Sequence, residues 1–97
     1  MADKVAVENV NHPGQVTRVD AAKYTAIREL MLKVLPKGAP GLTNAQLKDA
    51  MRPDLPQDLF PGGDKLGWWV KCVQLDLEAK GLVARADTKP LTFHRPS

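Results

Sequence analysis

The sequence has little of what disulfides and metal sites require: among 97 residues it holds one cysteine, Cys72, and two histidines, His12 and His94. A single cysteine excludes an intramolecular disulfide, and a reducing, cytoplasmic compartment is expected. Three separated ligands form no known zinc pattern, so no metal is predicted. Because Cys72 lies among apolar neighbours, where a thiol is inert, we predict no catalytic residue and no enzyme.

Long apolar runs are also missing. No stretch approaches the roughly 18 residues of a membrane span, and the first ten residues, MADKVAVENV, lack the apolar block of a signal peptide. We therefore expect a soluble protein without a membrane partner. A hydrophobic content of 43% and a charged content of 26% are ordinary for a globular chain, and the length allows one domain.

A glycine-rich phosphate loop is absent as well. The motif at residues 61–65, PGGDK, opens a predicted helix but lacks the spacing of a P-loop. Asp64 as the N-cap would place negative charge where an anion should bind. A capped turn explains the motif, and no cofactor and no small-molecule substrate are predicted.

Turn residues divide the chain into an extended arm over residues 1–19 and a domain over residues 20–97. Valines around a His12-Pro13-Gly14 turn indicate one or two short strands in the arm. Asp20 is the predicted N-cap of a first helix. The apolar positions of that helix recur at helical spacing: Tyr24, Ile27, Leu30, Met31, Val34 and Leu35.

Two more helices are predicted. Thr43 and Gln46 fit a capping box that opens a short second helix, which ends before Pro53. The loop that follows carries three apolar residues expected to pack on the core: Leu55, Leu59 and Phe60. A third helix runs from about residue 64 or 65 to Lys80, and Gly81 suits the left-handed position of a Schellman ending.

Residues 82–86 and 91–95 predict the two strands of a terminal hairpin. Three helices followed by a hairpin is the order of the winged helix. The predicted fold class is therefore α+β: a winged helix of three helices and a C-terminal β-hairpin wing, with an extended N-terminal arm.

Over nearly its whole length the sequence also resembles a family of small uncharacterised bacterial proteins. The specific likeness lies in Gly67–Lys71 and Val73–Gly81, and three blocks support it: Asn9–Gly14, Val19–Tyr24 and Gly41–Thr43. This resemblance implies the winged-helix fold and no assigned activity. By analogy, many winged helices bind duplex DNA, with the last helix in the major groove and the hairpin on phosphates.

The third helix is apolar on two sides. At about 100° per residue, one face, which belongs to the core, carries Leu66, Val70, Val73 and Leu77. The opposite face, the predicted interface, carries Trp68, Cys72, Leu75 and Ala79. Three coverings stay open for it: the arm or the hairpin of the same chain, a homodimer across a two-fold axis, or a cofactor pocket.

Candidate nucleic-acid contacts are few on this helix and denser at the C-terminus. Lys71 and Gln74 lie between the two apolar faces, a thin set for reading base edges. The other candidates surround the hairpin and suit contact with phosphate oxygens: Arg85, Lys89, His94 and Arg95. The alternative is a solvated basic edge that discourages strand pairing.

Two functions remain open. The first is a winged-helix DNA-binding protein, of the transcription-regulator type, that contacts mainly the phosphate backbone of double-stranded DNA. The second is a protein-interaction or assembly module that uses the Trp68 face and binds no nucleic acid. The net charge of +3 permits the first without requiring it. The family resemblance favours DNA binding, whereas the sparse helix surface favours protein interaction; the sequence leans to DNA.

Overall fold

A computed structural model describes residues 3–12, 14–38, 40–63 and 65–96. It confirms a mixed α+β chain. The helices are α1 (Ala21–Val34), α2 (Asn44–Met51) and α3 (Leu66–Ala79), with short 3-10 helices at Arg52–Asp54 and Pro61–Gly63. The strands are β1 (Lys4–Glu8), β2 (Val16–Asp20), β3 (Leu42–Thr43), β4 (Ala84–Ala86) and β5 (Thr92–His94).

The N-terminal arm forms an antiparallel hairpin of β1 and β2, which confirms the predicted strands. Val5 lies opposite Val19, and Val7 opposite Thr17. Because side chains alternate along a strand, these four share one side of the hairpin, and Val7 and Val19 are buried. Of the predicted turn, Pro13 lies outside the described residues.

The predicted caps of α1 and α2 are present. The carboxylate of Asp20 accepts a hydrogen bond from the Lys23 amide at 3.0 Å. Thr43 Oγ1 accepts from the Gln46 amide at 3.1 Å, and Gln46 Oε1 accepts from the Thr43 amide at 3.0 Å, which completes the capping box. Both helices therefore begin where local chemistry satisfies their first free amides.

Helix α3 ends as predicted. The Leu82 amide donates to the Leu77 carbonyl at 2.8 Å, and the Gly81 amide to the Glu78 carbonyl at 3.2 Å. Gly81 has a φ of 78°, so both bonds of the Schellman motif form around it. At the other end, Lys65 is the N-cap and makes no side-chain cap bond; the predicted cap, Asp64, lies outside the described residues.

The C-terminal hairpin belongs to a larger sheet than predicted. Strand β5 lies between β4 and β3, in the order β3-β5-β4. Leu42 of β3 pairs with Phe93 of β5, so the segment between α1 and α2 is tied to the end of the chain. A β-carbon at Gly41 would lie 2.1 Å from the Phe93 carbonyl oxygen, and therefore only glycine fits there.

The core lies between the three helices, the inner side of the N-terminal hairpin and the second sheet. Leu55 and Phe60 are buried and Leu59 packs against them, so the irregular loop is pinned to the core as predicted. The rings of Phe60 and Trp69 are nearly perpendicular, with their centroids 6.1 Å apart. Within the described ranges, no helix has the length and apolar character needed to cross a membrane.

Candidate functional site

The two apolar faces of α3 have different surroundings. The core face is closed: Leu66, Val70, Val73 and Leu77 are all at most 2% exposed. On the opposite face Trp68 is 54% exposed, Cys72 and Leu75 are half-buried, and Ala79 is exposed. The predicted interface is therefore only partly covered.

The N-terminal hairpin covers part of this second face, which was one of the three expected coverings. It leaves a gap of ≈ 310 Å³ between itself and α3, here called the groove. The helix wall consists of Trp68, Lys71, Cys72 and Leu75. The hairpin wall consists of Val7, Glu8, Asn9, Gln15 and Thr17. Cys72 and Leu75 form an apolar floor, and Asn9, Gln15, Thr17 and Lys71 add polar groups at the rim. The Glu8 side chain lies, like that of its strand partner Val16, on the other side of the hairpin.

A buried carboxylate holds the hairpin in place. Asp76 of α3 is 0% exposed. It accepts hydrogen bonds from the Glu8 amide of β1 at 2.8 Å, from the Tyr24 hydroxyl of α1, and from Lys80 Nζ at 2.9 Å. Because a buried carboxylate needs such partners, Asp76 joins the hairpin to two helices and fixes one wall of the groove.

The pKa values of two side chains that bind Asp76, Tyr24 and Lys80, are both raised. Burial raises the pKa of Tyr24 above its ordinary value of 10.0, and the hydrogen bond to Asp76 raises it further. Burial opposes the charged form of Lys80, but the hydrogen bond and the charge of Asp76 outweigh burial and raise its pKa as well. At neutral pH Tyr24 therefore stays a hydrogen-bond donor and Lys80 stays a cation.

The sequence analysis assigned no role to Asp76, so the network that it forms was not predicted. A signal was present: Asp76 follows Trp69 by seven residues and Val73 by three, a spacing that places it on their face of the helix. Tyr24 supplied the complementary signal, since a buried tyrosine hydroxyl usually finds a partner.

Cys72, in the floor of the groove, has an elevated pKa. Burial is the main cause, and the charge of Asp76 adds to it. The thiol is therefore protonated at neutral pH, when its nucleophilicity is low. Among the described residues, no group of three or more histidine, cysteine or acidic side chains is arranged to hold a metal ion.

One predicted DNA contact is wrong. Gln74 is 2% exposed, and its side-chain oxygen faces the Asn44 amide at 3.5 Å. The strip between the apolar faces of α3 is closed at this position because α2 packs against α3. Gln74 therefore cannot reach a base edge.

The other predicted DNA contacts differ in whether their side chains are exposed or already engaged in contacts within the chain. Arg85 makes two hydrogen bonds to Glu78, at 3.0 and 2.8 Å. Arg95 Nε donates to the Leu35 carbonyl at 3.0 Å, and His94 Nδ1 lies 2.8 Å from the Arg95 carbonyl oxygen. Lys71 and Lys89 remain exposed. The structure thus brings Lys71 to the groove and uses three of the C-terminal side chains in internal contacts.

The fold and the site define a small α+β domain whose N-terminal hairpin and third helix enclose an open, apolar groove. Residues 4–93 match the profile of DUF6958, a family of unknown function, and the chain belongs to that family. No curated protein and no solved structure matches the chain significantly. The match confirms the expected kinship with uncharacterised proteins.

Proposed function

We propose that this protein is an interaction module that binds an apolar segment of a protein in the groove. The observation that carries the proposal is Trp68, a large aromatic side chain left 54% exposed beside the half-buried Cys72 and Leu75. Exposed apolar surface beside a cleft and rimmed by polar groups is typical of protein-binding sites. Aromatic side chains of this kind supply much of the binding energy of interfaces.

The volume of the groove limits how much of a bound segment it can accommodate. Its ≈ 310 Å³ is at the lower end of the about 300–1,000 Å³ of ligand pockets. One or two apolar side chains fill it. The polar groups of Asn9, Gln15 and Thr17 line the hairpin wall, where they can hydrogen-bond to the backbone of the bound segment.

We also propose that the fold is a winged helix. The strand order supports this assignment, since β3, placed between α1 and α2, pairs with the last strand and joins the terminal hairpin into one three-stranded sheet. A fold of this kind hosts different functions, so it does not itself select DNA as the ligand. The buried Gln74 and the engaged Arg85 and Arg95 favour the groove instead.

The test is a selection of displayed peptides on the purified protein, followed by affinity measurement. We expect enriched peptides with a large apolar residue, bound at least about tenfold more weakly by Trp68→Asp. Val16→Asp is the matched control, because Val16 is 56% exposed and lies outside the groove lining. Peptides that bind both variants equally, or a selection without enrichment, contradict the proposal.

Cys72 provides an independent readout, since it is the only cysteine and lies in the groove floor. A bound peptide should slow alkylation of Cys72. The reaction is best followed above neutral pH, because the raised pKa of the thiol limits the thiolate at pH 7. Unchanged alkylation in the presence of a bound peptide would place that peptide elsewhere on the surface.

Phosphate-backbone binding to double-stranded DNA is a second candidate, favoured by exposed Lys89 between β4 and β5. A salt-titrated binding assay on nonspecific duplex distinguishes it. Dissociation constants below about 10⁻⁴ M at physiological salt, with a steep salt dependence, support DNA contact. Lys89→Ala should then weaken DNA binding. Lys33→Ala is the control and should leave binding unchanged, because the Lys33 side chain pairs with Asp54 at 3.3 Å.

A further inference from the structure

We propose that the bound segment is extended and adds as a third strand to the free edge of β2, with an apolar side chain in the groove and a carboxylate at Lys71. The inference rests on the proposed function, since it gives the conformation and the chemistry of the segment that the same groove binds. Three observations carry it: the alternation of hydrogen bonds in the N-terminal hairpin, the open inner side of β2 and the charge of the groove.

The backbone groups of Arg18, in the middle of β2, face away from β1. In an antiparallel pair, residues that bond to the partner strand alternate with residues whose N–H and C=O point outward. The Glu8 amide bonds to α3 instead of to β2, so Glu8 and the opposing Val16 form an outward-pointing pair. Arg18, two residues further along β2, has the same orientation. The 2.8 Å bond from the Ala21 amide to the Asp3 carbonyl gives the same alternation at the other end of the hairpin.

This edge of β2 is accessible. In the part of the chain that the structure describes, the hairpin sheet has two strands, so β2 is paired on one side alone. Arg18 is exposed, and no backbone hydrogen bond between elements of that part involves it. Such an edge presents a donor and an acceptor at the spacing of a strand, and an extended peptide satisfies both.

Beside the groove, the inner side of the hairpin is covered under β1 and open under β2. Val7 and Thr17 lie opposite each other and share that side, but Val7 is buried, whereas Thr17 is exposed. Helix α3 packs against β1, and Thr17 of β2 lines the groove. A strand added to β2 therefore directs every second side chain to the side of the sheet on which the groove and Trp68 lie.

The groove selects a carboxylate because its charged side chain is a lysine. Lys71 lines the helix wall and is exposed, and the ion pairs found among the described residues involve other side chains. The Glu8 side chain lies on the other side of the hairpin. Since side chains two residues apart in a strand share a side, we expect an apolar residue and an Asp or Glu separated by one residue in the selected peptides.

Amide hydrogen exchange of the full chain, followed by NMR with and without a selected peptide, tests the added strand. In the free protein the Arg18 amide should exchange fast, and the Thr17 amide, which faces β1, slowly. Saturating peptide should slow exchange at Arg18 by at least about tenfold. Unchanged exchange at Arg18 overturns the added strand.

Removal of single amides gives a second readout. Arg18→Pro deletes a donor at a sheet edge, where proline is tolerated, and should weaken peptide binding at least about tenfold relative to Arg18→Ala, which keeps the amide. Circular dichroism checks that both variants are folded. N-methylation of the peptide, one amide at a time, leaves the protein unaltered and should lower affinity at every second position. Losses without that alternation contradict an extended bound form.

Charge reversal tests the chemistry of the segment. Lys71→Glu should weaken an acidic peptide by about fivefold at low salt, and a peptide with lysine in place of the acidic residue should recover binding to this variant. Lys89→Glu introduces the same charge outside the groove lining and should have little effect on either peptide. Equal binding of the two peptides by the parent chain would reject the carboxylate.

The outcomes separate this inference from the proposed function. Peptides that bind in the groove without slowing exchange at Arg18 overturn the added strand but still support an interaction module. A selection without enrichment rejects both. Protection of the Arg18 amide that rises with protein concentration in the absence of peptide would assign the free edge to a second copy of the chain and overturn the partner segment.

Discussion

Helix α3 carries two carboxylates, Asp76 and Glu78, and each holds one hairpin. Asp76 accepts from the Glu8 amide of the N-terminal hairpin, and Glu78 from Arg85 of the C-terminal hairpin. Being two residues apart, they point about 200° apart around the helix. A single helix therefore organises both β-structures from opposite sides.

The two attachments differ in how much else supports them. Asp76 is fully buried and gathers three donors from three parts of the chain. The C-terminal sheet is held more redundantly, because β5 pairs with both β3 and β4 and Arg95 binds the end of α1. The Glu78 side chain is itself only 5% exposed. The comparison therefore teaches that equal charges on one helix differ in importance according to the number of donors they gather and to the other contacts that hold the same hairpin.

The largest effect is expected from Asp76→Ala, which should lower the free energy of unfolding by about 3–5 kcal/mol. The buried Tyr24 hydroxyl and the part-buried Glu8 amide would each lose an acceptor. Urea denaturation measures the loss, and hydrogen exchange should show a newly unprotected Glu8 amide. Asp76→Asn keeps one acceptor oxygen and should lose less. A loss below about 1 kcal/mol, with Glu8 still protected, would refute the anchoring role.

A smaller effect is expected from Tyr24→Phe. Removal of the hydroxyl should destabilise the fold by about 1–2 kcal/mol, because Asp76 keeps its other two donors. Chemical denaturation of Thr25→Ala supplies the control, since Thr25 is an exposed hydroxyl on the same helix and its removal should change little. If both variants were equally stable, the Tyr24–Asp76 hydrogen bond would contribute nothing.

Arg85→Ala should destabilise by about 1 kcal/mol. Glu78 would lose both hydrogen bonds, but the sheet would keep its backbone pairing with β3. Arg85→Lys retains the charge without the two-pronged geometry and should recover only part of the loss. Hydrogen exchange of β4 and β5 locates the effect; exposure of the N-terminal hairpin in this variant would break the comparison between the two attachments.

Mild alkali should produce the smallest effect. The raised pKa values of Tyr24 and Lys80 mean that both groups hold their protons more tightly in the folded chain. Their stabilisation is complete below the unfolded values, about 10 for both, and is lost as pH rises through the folded values. Thermal melting should therefore show constant stability below about pH 9 and falling stability between about pH 10 and 11.5, with a shallower fall in Tyr24→Phe. A rise in stability over that interval would contradict the assigned shifts.

Local sequence signals predicted the elements well because the responsible interactions span only a few residues. The Asp20 cap, the Thr43–Gln46 box and the Gly81 ending each depend on groups within about one or two helical turns. The spacing of apolar residues in α3 also predicted its two faces. Each of these features is encoded next to the place where it acts.

The candidate site could not be predicted from local patterns, because it is built from contacts between segments that are distant in the chain. The Asp76–Glu8 bond joins residues 68 positions apart, and β3 is a two-residue strand with no periodicity of its own. The same limit explains Gln74, which lies on a polar strip in the sequence and becomes buried when α2 packs beside it. Sequence spacing gives the direction of a side chain on its helix but not what lies in that direction.

The sequence by itself determined where the helices begin and end, and that α3 is apolar on two sides, because short-range hydrogen bonding and helical periodicity act within one segment. Only the tertiary structure decided that the N-terminal hairpin lies over one of those sides, that Asp76 holds it there, and that Trp68 remains exposed at the groove. Those outcomes depend on the packing of segments that are far apart in the chain, where burial and partners are set by the whole fold.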